Sequence, residues 1–139
     1  MSYVTKQDLI DRFGEEELIQ LTDRAGAGVI DDQVLNRAIA DADAEIDGYL
    51  AGRYVLPLAV VPASLGRIAA DLARYYLYED AATEHVRQRY EDAVRFLRAV
   101  GEGKVSLGID AAGAKAQPAG GATMTSAGRV FTRDDDGFI

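Results

Sequence analysis

The chain has 139 residues, of which 48% are hydrophobic, so it is long enough and apolar enough for one domain with a packed core. Its 23 acidic and 15 basic residues give a formal charge of −8, which argues against general binding to nucleic-acid phosphates, because such binding depends on Lys and Arg. The absence of cysteine excludes disulfides and thiolate chemistry. The N-terminal residues do not form a signal peptide, and no apolar run approaches the roughly 20 residues of a membrane span. We therefore expect a soluble, acidic, single-domain protein with no membrane partner.

The first part of the chain predicts two short helices. Thr5 and Asp8 have the spacing of a capping box, and Gly14 is a natural helix stop. The glutamates at 15–17 follow where carboxylates favour a helix start, and the second helix should end near residues 22–23. A metal site is the alternative for these glutamates. Adjacent helical residues diverge by about 100° around the axis, so we interpret them as a solvated helix start.

A long amphipathic helix follows a glycine-containing loop at residues 24–30. Asp31 or Asp32 should cap this helix, which runs to about Gly52. Its apolar residues recur at helical spacing and form one face: Val34, Leu35, Ala38, Ile39, Ala42, Ile46, Tyr49 and Leu50. Gly48 and Gly52 each lower the stability of the helix by up to about 1 kcal/mol relative to Ala. We therefore expect both glycines to have a packing role, in which they let another helix or backbone approach closely.

The segment after this helix, residues 51–62, is called the connector below. Pro57 lacks an amide N–H and disfavours the helical conformation at Leu56, so the helix cannot continue. Pro62 is suited to the first position of a new helix. The connector is more apolar than a solvated loop, through Val55, Leu56, Leu58, Val60 and Val61. It should therefore be either packed under the helices or covered by another copy of the protein.

Two further helices complete the predicted bundle. The first begins at Pro62 and carries Tyr75, Tyr76 and Tyr78, which cannot share one helix face, so at least one should point outward or towards a partner. Thr83 can cap the second helix, which should end at Gly101. This last helix is locally basic, through Arg87, Arg89, Arg95 and Arg98.

The composition changes after the last helix. Half of the 14 glycines lie between Gly101 and Gly128, mixed with Ala, Ser and Thr, so this stretch cannot bury enough apolar area to order itself. Apolar residues return in the closing RVFTRDDDGFI, which suggests docking on the chain's own domain or on a neighbour. We expect an all-α fold, a small bundle of four to five helices in residues 1–107, followed by a flexible Ala/Gly-rich arm in residues 108–139.

A search for catalytic or metal-binding residues finds no convincing set. His85 is the single histidine and is interpreted as a surface residue, and no nucleophile–base–orienter set can be assembled. Asp41, Asp43 and Asp47 could crowd carboxylates, and Asp43 and Asp47 share a helix face. Metal binding there is the alternative, but a solvated acidic flank is the better interpretation. The aspartates at 134–136 lack the alternating spacing and distal Glu of a calcium loop. We expect no catalytic residues, no metal and no cofactor.

Several blocks, in order and spacing, resemble the Mu-like phage and prophage head–tail connector family. They begin with residues 3–5, 13–15, 17–18 and 21–23, and continue with 38–42, 46–50, 53–54 and 56–58. The later ones are Val61-Pro62, Leu65, residues 68–73, Tyr75, Arg89-Tyr90 and the closing Arg129 to Asp134. The resemblance covers roughly residues 3–107, and the Ala/Gly-rich arm contains no matching motif.

The resemblance implies a small all-α structural protein similar to the adaptors of other tailed phages. In those, about a dozen copies form a ring beneath the portal and offer a surface to the tail. The implied partners are copies of the chain, the portal protein and tail or tail-terminator proteins, with DNA passing through the lumen without specific binding. The implied location is the virion neck, with assembly in the host cytoplasm. The candidate subunit interface comprises Arg53, Tyr54, Leu56, Leu58, Val60, Tyr76, Tyr78, Phe131 and Phe138.

Two other functions stay open from the sequence. The basic last helix could be the contact face of a small DNA-binding module involved in packaging or regulation. The aspartates of the long helix could serve a metal-dependent enzyme. We also hypothesise that Asp41 and Asp43 face a lumen and repel DNA.

Overall fold

The computed structural model describes residues 2–108, and this range contains five α-helices and no strand. The helices are α1 (Lys6–Phe13), α2 (Glu15–Thr22), α3 (Asp32–Leu50), α4 (Ala63–Tyr78) and α5 (Glu84–Gly101), with a 3₁₀ turn at Glu79–Ala81. The predicted small all-α fold is confirmed. None of these helices combines the length and the apolar character that a bilayer crossing requires. The predicted arm lies outside the described residues except for Gly108.

Local capping chemistry starts three of the helices. The Thr5 hydroxyl accepts a hydrogen bond from the Asp8 N–H at 3.1 Å, and the Asp8 carboxylate accepts one from the Thr5 N–H at 3.0 Å. The predicted capping box is therefore present. Asp31, rather than Asp32, caps α3, and its carboxylate accepts from the backbone N–H groups of Gln33 and Val34. Thr83 caps α5, and its hydroxyl accepts from the Val86 N–H.

Gly14 joins α1 directly to α2. It ends the first helix with a φ of +92°, a conformation that favours glycine, and its N–H donates to the Ile10 carbonyl at 2.8 Å. The same residue is the N-cap of α2. One residue thus produces the sharp corner between the two short helices.

Helices α3, α4 and α5 pack against one another, and α2 lies against α3 and α4. The apolar face of α3 is buried as predicted at six positions, Leu35, Ala38, Ile39, Ala42, Ile46 and Leu50. Helix α4 is the central element, since eight of its sixteen residues are buried. This packing forms a single apolar core that includes the connector.

The close helix approach lies at a different glycine from those predicted. A methyl group at Gly48 or Gly52 would meet nothing within 4 Å. A methyl group at Gly101 would instead lie 2.8 Å from the carbonyl oxygen of Tyr49. The backbones of α3 and α5 therefore meet where α5 ends, and the expectation for Gly48 and Gly52 was wrong.

Residues 2–4 form an N-terminal strap across α3. The Tyr3 N–H donates to the Asp43 carboxylate at 2.9 Å, and the Tyr3 hydroxyl donates to Asp47. Tyr3 and Val4 are both buried. Burial raises the pKa of Asp43, and the hydrogen bond from Tyr3 partly opposes this rise. This flank of α3 was predicted to be solvated. The prediction was wrong at Asp43 and Asp47, because both carboxylates accept hydrogen bonds from Tyr3.

Candidate assembly surface

The connector turns sharply away from the end of α3. The N–H groups of Arg53 and Tyr54 both donate to the Leu50 carbonyl at 2.9 Å, and the Leu56–Pro57 peptide bond is cis. Pro62 is the N-cap of α4, which begins at Ala63, one residue later than predicted. The two hydrogen bonds to Leu50 fix the direction in which the connector leaves α3.

Two of the predicted interface residues lie in the chain's own core. Tyr54 is 4% exposed and Leu58 is 5% exposed. The Tyr54 hydroxyl also accepts a hydrogen bond from the Leu107 N–H at 3.2 Å, which ties the connector to the segment after α5. Both side chains are therefore unavailable to a neighbouring copy. Their expected place on a subunit surface was wrong, because the connector passes under the helices at these points.

Two other connector residues are left facing solvent. Val55 is 54% exposed and Val60 is 65% exposed, and we call this pair the connector valines. Leu56, between them in sequence, is half-buried and packs against the core. The connector thus divides its apolar side chains between the core and the solvent.

Arg53 lies at the start of the connector with its guanidinium against Gly103. A methyl group at Gly103 would come within 1.9 Å of Arg53 Nη1, and this glycine has a φ of +83°. Arg53 Nε is buried and has no hydrogen-bond partner among the described residues. The Arg53 side chain therefore packs over the turn that follows α5.

Tyr75 and Tyr76 of α4 form a cluster with Tyr90 of α5 around Glu45. Tyr75 stacks on Tyr90 with ring centroids 3.9 Å apart and planes inclined by 13°. The Tyr76 hydroxyl donates to the Glu45 carboxylate, and the Tyr90 hydroxyl lies 3.4 Å from its other oxygen. Tyr76 and Tyr78 are half-buried, so neither is a freely exposed anchor. Their predicted interface role stays a prediction.

Burial changes the acid–base properties of this tyrosine cluster. It raises the pKa of Glu45, and the hydrogen bond from Tyr90 opposes that rise. Burial, together with the nearby Glu45 carboxylate, raises the pKa of Tyr90 to about 12. Tyr90 therefore stays a neutral hydrogen-bond donor at physiological pH. Glu45 is not part of the apolar face that helical spacing gives for α3, so sequence periodicity did not find this set.

A charged cleft of about 370 Å³ lies beside α1, α2, α4 and α5. We call it the arginine cleft, and its charged or titratable lining residues are Arg12, Glu17, Asp71, Arg74, His85 and Arg89. Arg74 binds Glu17 through two hydrogen bonds of 2.7 and 3.1 Å, and its guanidinium lies 4.3 Å from the Phe13 ring centroid. The cleft was not found from the sequence, because it assembles residues of four helices.

The buried end of the arginine cleft is an ion pair. Asp71 is 4% exposed, and Arg89 Nε donates to it at 3.0 Å with a second, longer contact of 3.4 Å from Nη2. The sequence signal for this pair is an aspartate within the buried run of α4, between Ala70 and Leu72. A buried carboxylate requires a cation or hydrogen-bond donors, which Arg89 supplies.

The basic face proposed for a DNA-binding module is largely neutralised within the chain. Arg87 pairs with Glu84 and Glu91, while Arg89 pairs with Asp71. On the same helix, Arg95 pairs with Asp92 at 2.8 Å. Arg98 is exposed. Three of the four arginines therefore already have carboxylate partners, which does not favour a phosphate-binding role.

The residues considered for chemistry lie at the edge of a cleft and along α3 in the described part of the chain. His85 is exposed at the edge of the arginine cleft, as the surface interpretation predicted. Within residues 2–108 no three His, Cys, Asp or Glu side chains are grouped to hold a metal ion. Two predicted interface residues, Phe131 and Phe138, lie outside the described residues.

Comparisons with known proteins identify the family. A family model described as "Bacteriophage Mu, Gp36" matches residues 3–126. The Mu-like prophage FluMu protein gp36 of Haemophilus influenzae is 41% identical over 138 residues, which cover 99% of this chain and 98% of that protein. Gene product J of Escherichia phage Mu is 42% identical over 142 residues, which cover the full length of both chains. The resemblance to Mu-like phage proteins is confirmed, and the chain belongs to the bacteriophage Mu Gp36 family of phage proteins.

Proposed function

We propose that this phage protein is a structural subunit of the virion neck. It acts as an adaptor that forms an oligomeric ring between portal and tail, and it has no enzymatic activity. The observation that carries this proposal is the exposure of Val55 and Val60 in a segment that otherwise packs its apolar side chains inside the chain. Contact with a second copy would remove both valines from water.

A ring requires a contact between two different surfaces of the same chain. Such a head-to-tail contact closes into a ring when its rotation permits. The connector valines supply exposed apolar side chains for one of these two surfaces. The partners in this proposal are further copies, the portal protein and tail or tail-terminator proteins. Assembly of this ring takes place in the host cytoplasm.

The proposed ring encloses DNA without binding it specifically. The net charge of −8 supports passage of DNA rather than its retention, because like charges repel. Asp41 is exposed on α3 and suits a lumen position, whereas Asp43 is occupied by Tyr3. A filter-binding assay with a salt titration tests this point. A steep fall in DNA affinity with salt would favour the DNA-binding alternative instead.

A pair of substitutions two residues apart separates assembly from folding. Val60→Asp places a charge on a side chain that is 65% exposed, so the unfolding free energy should change by no more than about 0.5 kcal/mol. Leu58→Asp places a charge in the core and should unfold the chain, since an unpaired buried charge costs several kcal/mol. Circular dichroism melting measures both effects.

Native mass spectrometry, with and without purified portal protein, then measures assembly. We expect the unaltered chain to form rings or portal complexes and the folded Val60→Asp variant to stay monomeric. Val55→Asp is a second test of the same surface. Normal assembly by both folded valine variants would refute the proposed interface.

A further inference from the structure

The arginine cleft carries positive charge that the described residues do not neutralise. Its two carboxylates are already committed, Glu17 to Arg74 and Asp71 to Arg89. Among residues 2–108, Arg12 forms no ion pair, although it lines the cleft and is exposed. The exposed imidazole of His85 adds a hydrogen-bonding group. In a chain with a net charge of −8, this is a place where an anionic group is favoured.

A second, smaller cleft adjoins the first across the Asp71–Arg89 pair. It has a volume of about 180 Å³, and its lining includes Arg67, the half-buried ring of Phe96 and the carboxylate of Asp92, which is paired with Arg95. Arg67 is exposed and also forms no ion pair within the described range. The two clefts together therefore offer cationic groups followed by an aromatic surface.

The chain contains a segment with the complementary order of side chains. Asp134, Asp135 and Asp136 are followed after one glycine by Phe138. Carboxylates suit guanidinium groups because two parallel hydrogen bonds can form, and an aromatic ring suits a neighbouring aromatic surface. We infer that the arginine cleft is a docking site for the acidic C-terminal segment, residues 133–139, of the same chain.

The length of the intervening chain matches the distance that it has to cover. Leu107 is anchored to Tyr54 beyond the C-terminal end of α5, whereas His85 lies near the N-terminal end of the same helix. The sixteen helical steps from His85 to Gly101 span about 24 Å. Residues 109–133 are 25 residues of Gly-rich composition, for which a random coil has a root-mean-square span of about 25–30 Å. Effective concentration is greatest when these two lengths agree, which favours the chain's own segment over that of a neighbour.

The absence of cysteine allows a direct test on the full-length chain. A nitroxide attached to the single thiol of Gly137→Cys broadens the amide signals of residues close to it. We expect broadening concentrated at the cleft, at Arg12 and His85, rather than on the exposed side of α3. In about 1 M salt, where the Debye length falls to about 3 Å, the broadening should be lost.

Two matched changes test the charge complementarity. Replacing the three aspartates at 134–136 by asparagine, or Arg12 by glutamine, should abolish the broadening at the cleft. Arg98→Gln removes an exposed arginine that does not line either cleft and should leave it unchanged. Broadening that is spread evenly over the surface, or that survives the aspartate replacement, would overturn the inference.

A mixed sample distinguishes the source of the segment. Isotope-labelled chains without nitroxide are combined with unlabelled chains that carry it, so that any broadening arises between copies. We expect none at the cleft. Broadening in this sample would show that a neighbour's segment occupies the cleft and would refute docking within one chain. The outcome does not depend on the proposed neck function, since it is measured without portal protein.

Discussion

Alanine at Gly48 and alanine at Gly101 should change stability in opposite directions. Gly48 lies inside α3, where an added methyl group would meet nothing within 4 Å. Gly101 is the last residue of α5, where a methyl group would approach the Tyr49 carbonyl oxygen to 2.8 Å. The first change supplies a better helix former in open space, while the second forces two helix backbones apart.

The expected magnitudes follow from these two environments. Ala is favoured over Gly in a helix interior by about 0.8–1.0 kcal/mol, so Gly48→Ala should raise the unfolding free energy by roughly that amount. Overpacking a close contact costs about 1–3 kcal/mol, and Gly101→Ala gains little propensity at a helix end. In a domain of this size, 1 kcal/mol shifts Tm by about 4–8 °C. The two variants should therefore melt on opposite sides of the unaltered chain.

Urea titrations and thermal melts followed by circular dichroism measure both variants. They should be recorded at a concentration where the chain is monomeric, since assembly would add its own stabilisation. A stabilised Gly101→Ala variant would refute the close approach of α3 and α5 at this point. A destabilised Gly48→Ala variant would show that the exposed side of α3 is packed against something.

Two further predictions concern buried carboxylates. Burial raises the pKa of Glu45 above its ordinary value of 4.5, so the stabilising contribution of Glu45 is present below pH 4.5 and is lost as the pH rises through the raised pKa. Glu45→Gln should therefore gain stability relative to the unaltered chain when urea titrations are moved from pH 4 to pH 7. A difference in stability that stays constant with pH would contradict this. Arg89→Met leaves the buried Asp71 without its cation and should lower the unfolding free energy by about 2–3 kcal/mol. Asp71→Asn leaves a guanidinium that is 41% exposed and should lower the unfolding free energy by only about 1 kcal/mol. Equal losses of unfolding free energy in denaturant titrations would refute this asymmetry.

Features set by neighbouring residues could be predicted from the sequence. The caps at Thr5 and Thr83 depend on side chains within three residues, and Gly14 ends a helix through its own backbone freedom. The buried face of α3 follows from helical spacing alone. These elements fixed the fold class without any knowledge of tertiary contacts.

Features set by distant residues could not be predicted in the same way. Asp43 looks solvated by its helix position, but its partner Tyr3 is 40 residues away. The connector reads as uniformly apolar, yet Leu58 is buried and Val60 is exposed, because burial depends on where the connector crosses the bundle. Similarly, no local rule distinguishes the open Gly48 from the crowded Gly101.

The N-terminal strap also bears on the order of events during translation. Tyr3 is translated before the carboxylates that hold it, which lie at positions 43 and 47, and its carbonyl rests 3.6 Å from where a side chain at Gly66 would begin. Tyr3 therefore lacks these contacts until α3 and the first turn of α4 have been synthesised. Such long-range closure slows folding and leaves an apolar side chain available to chaperones in the meantime.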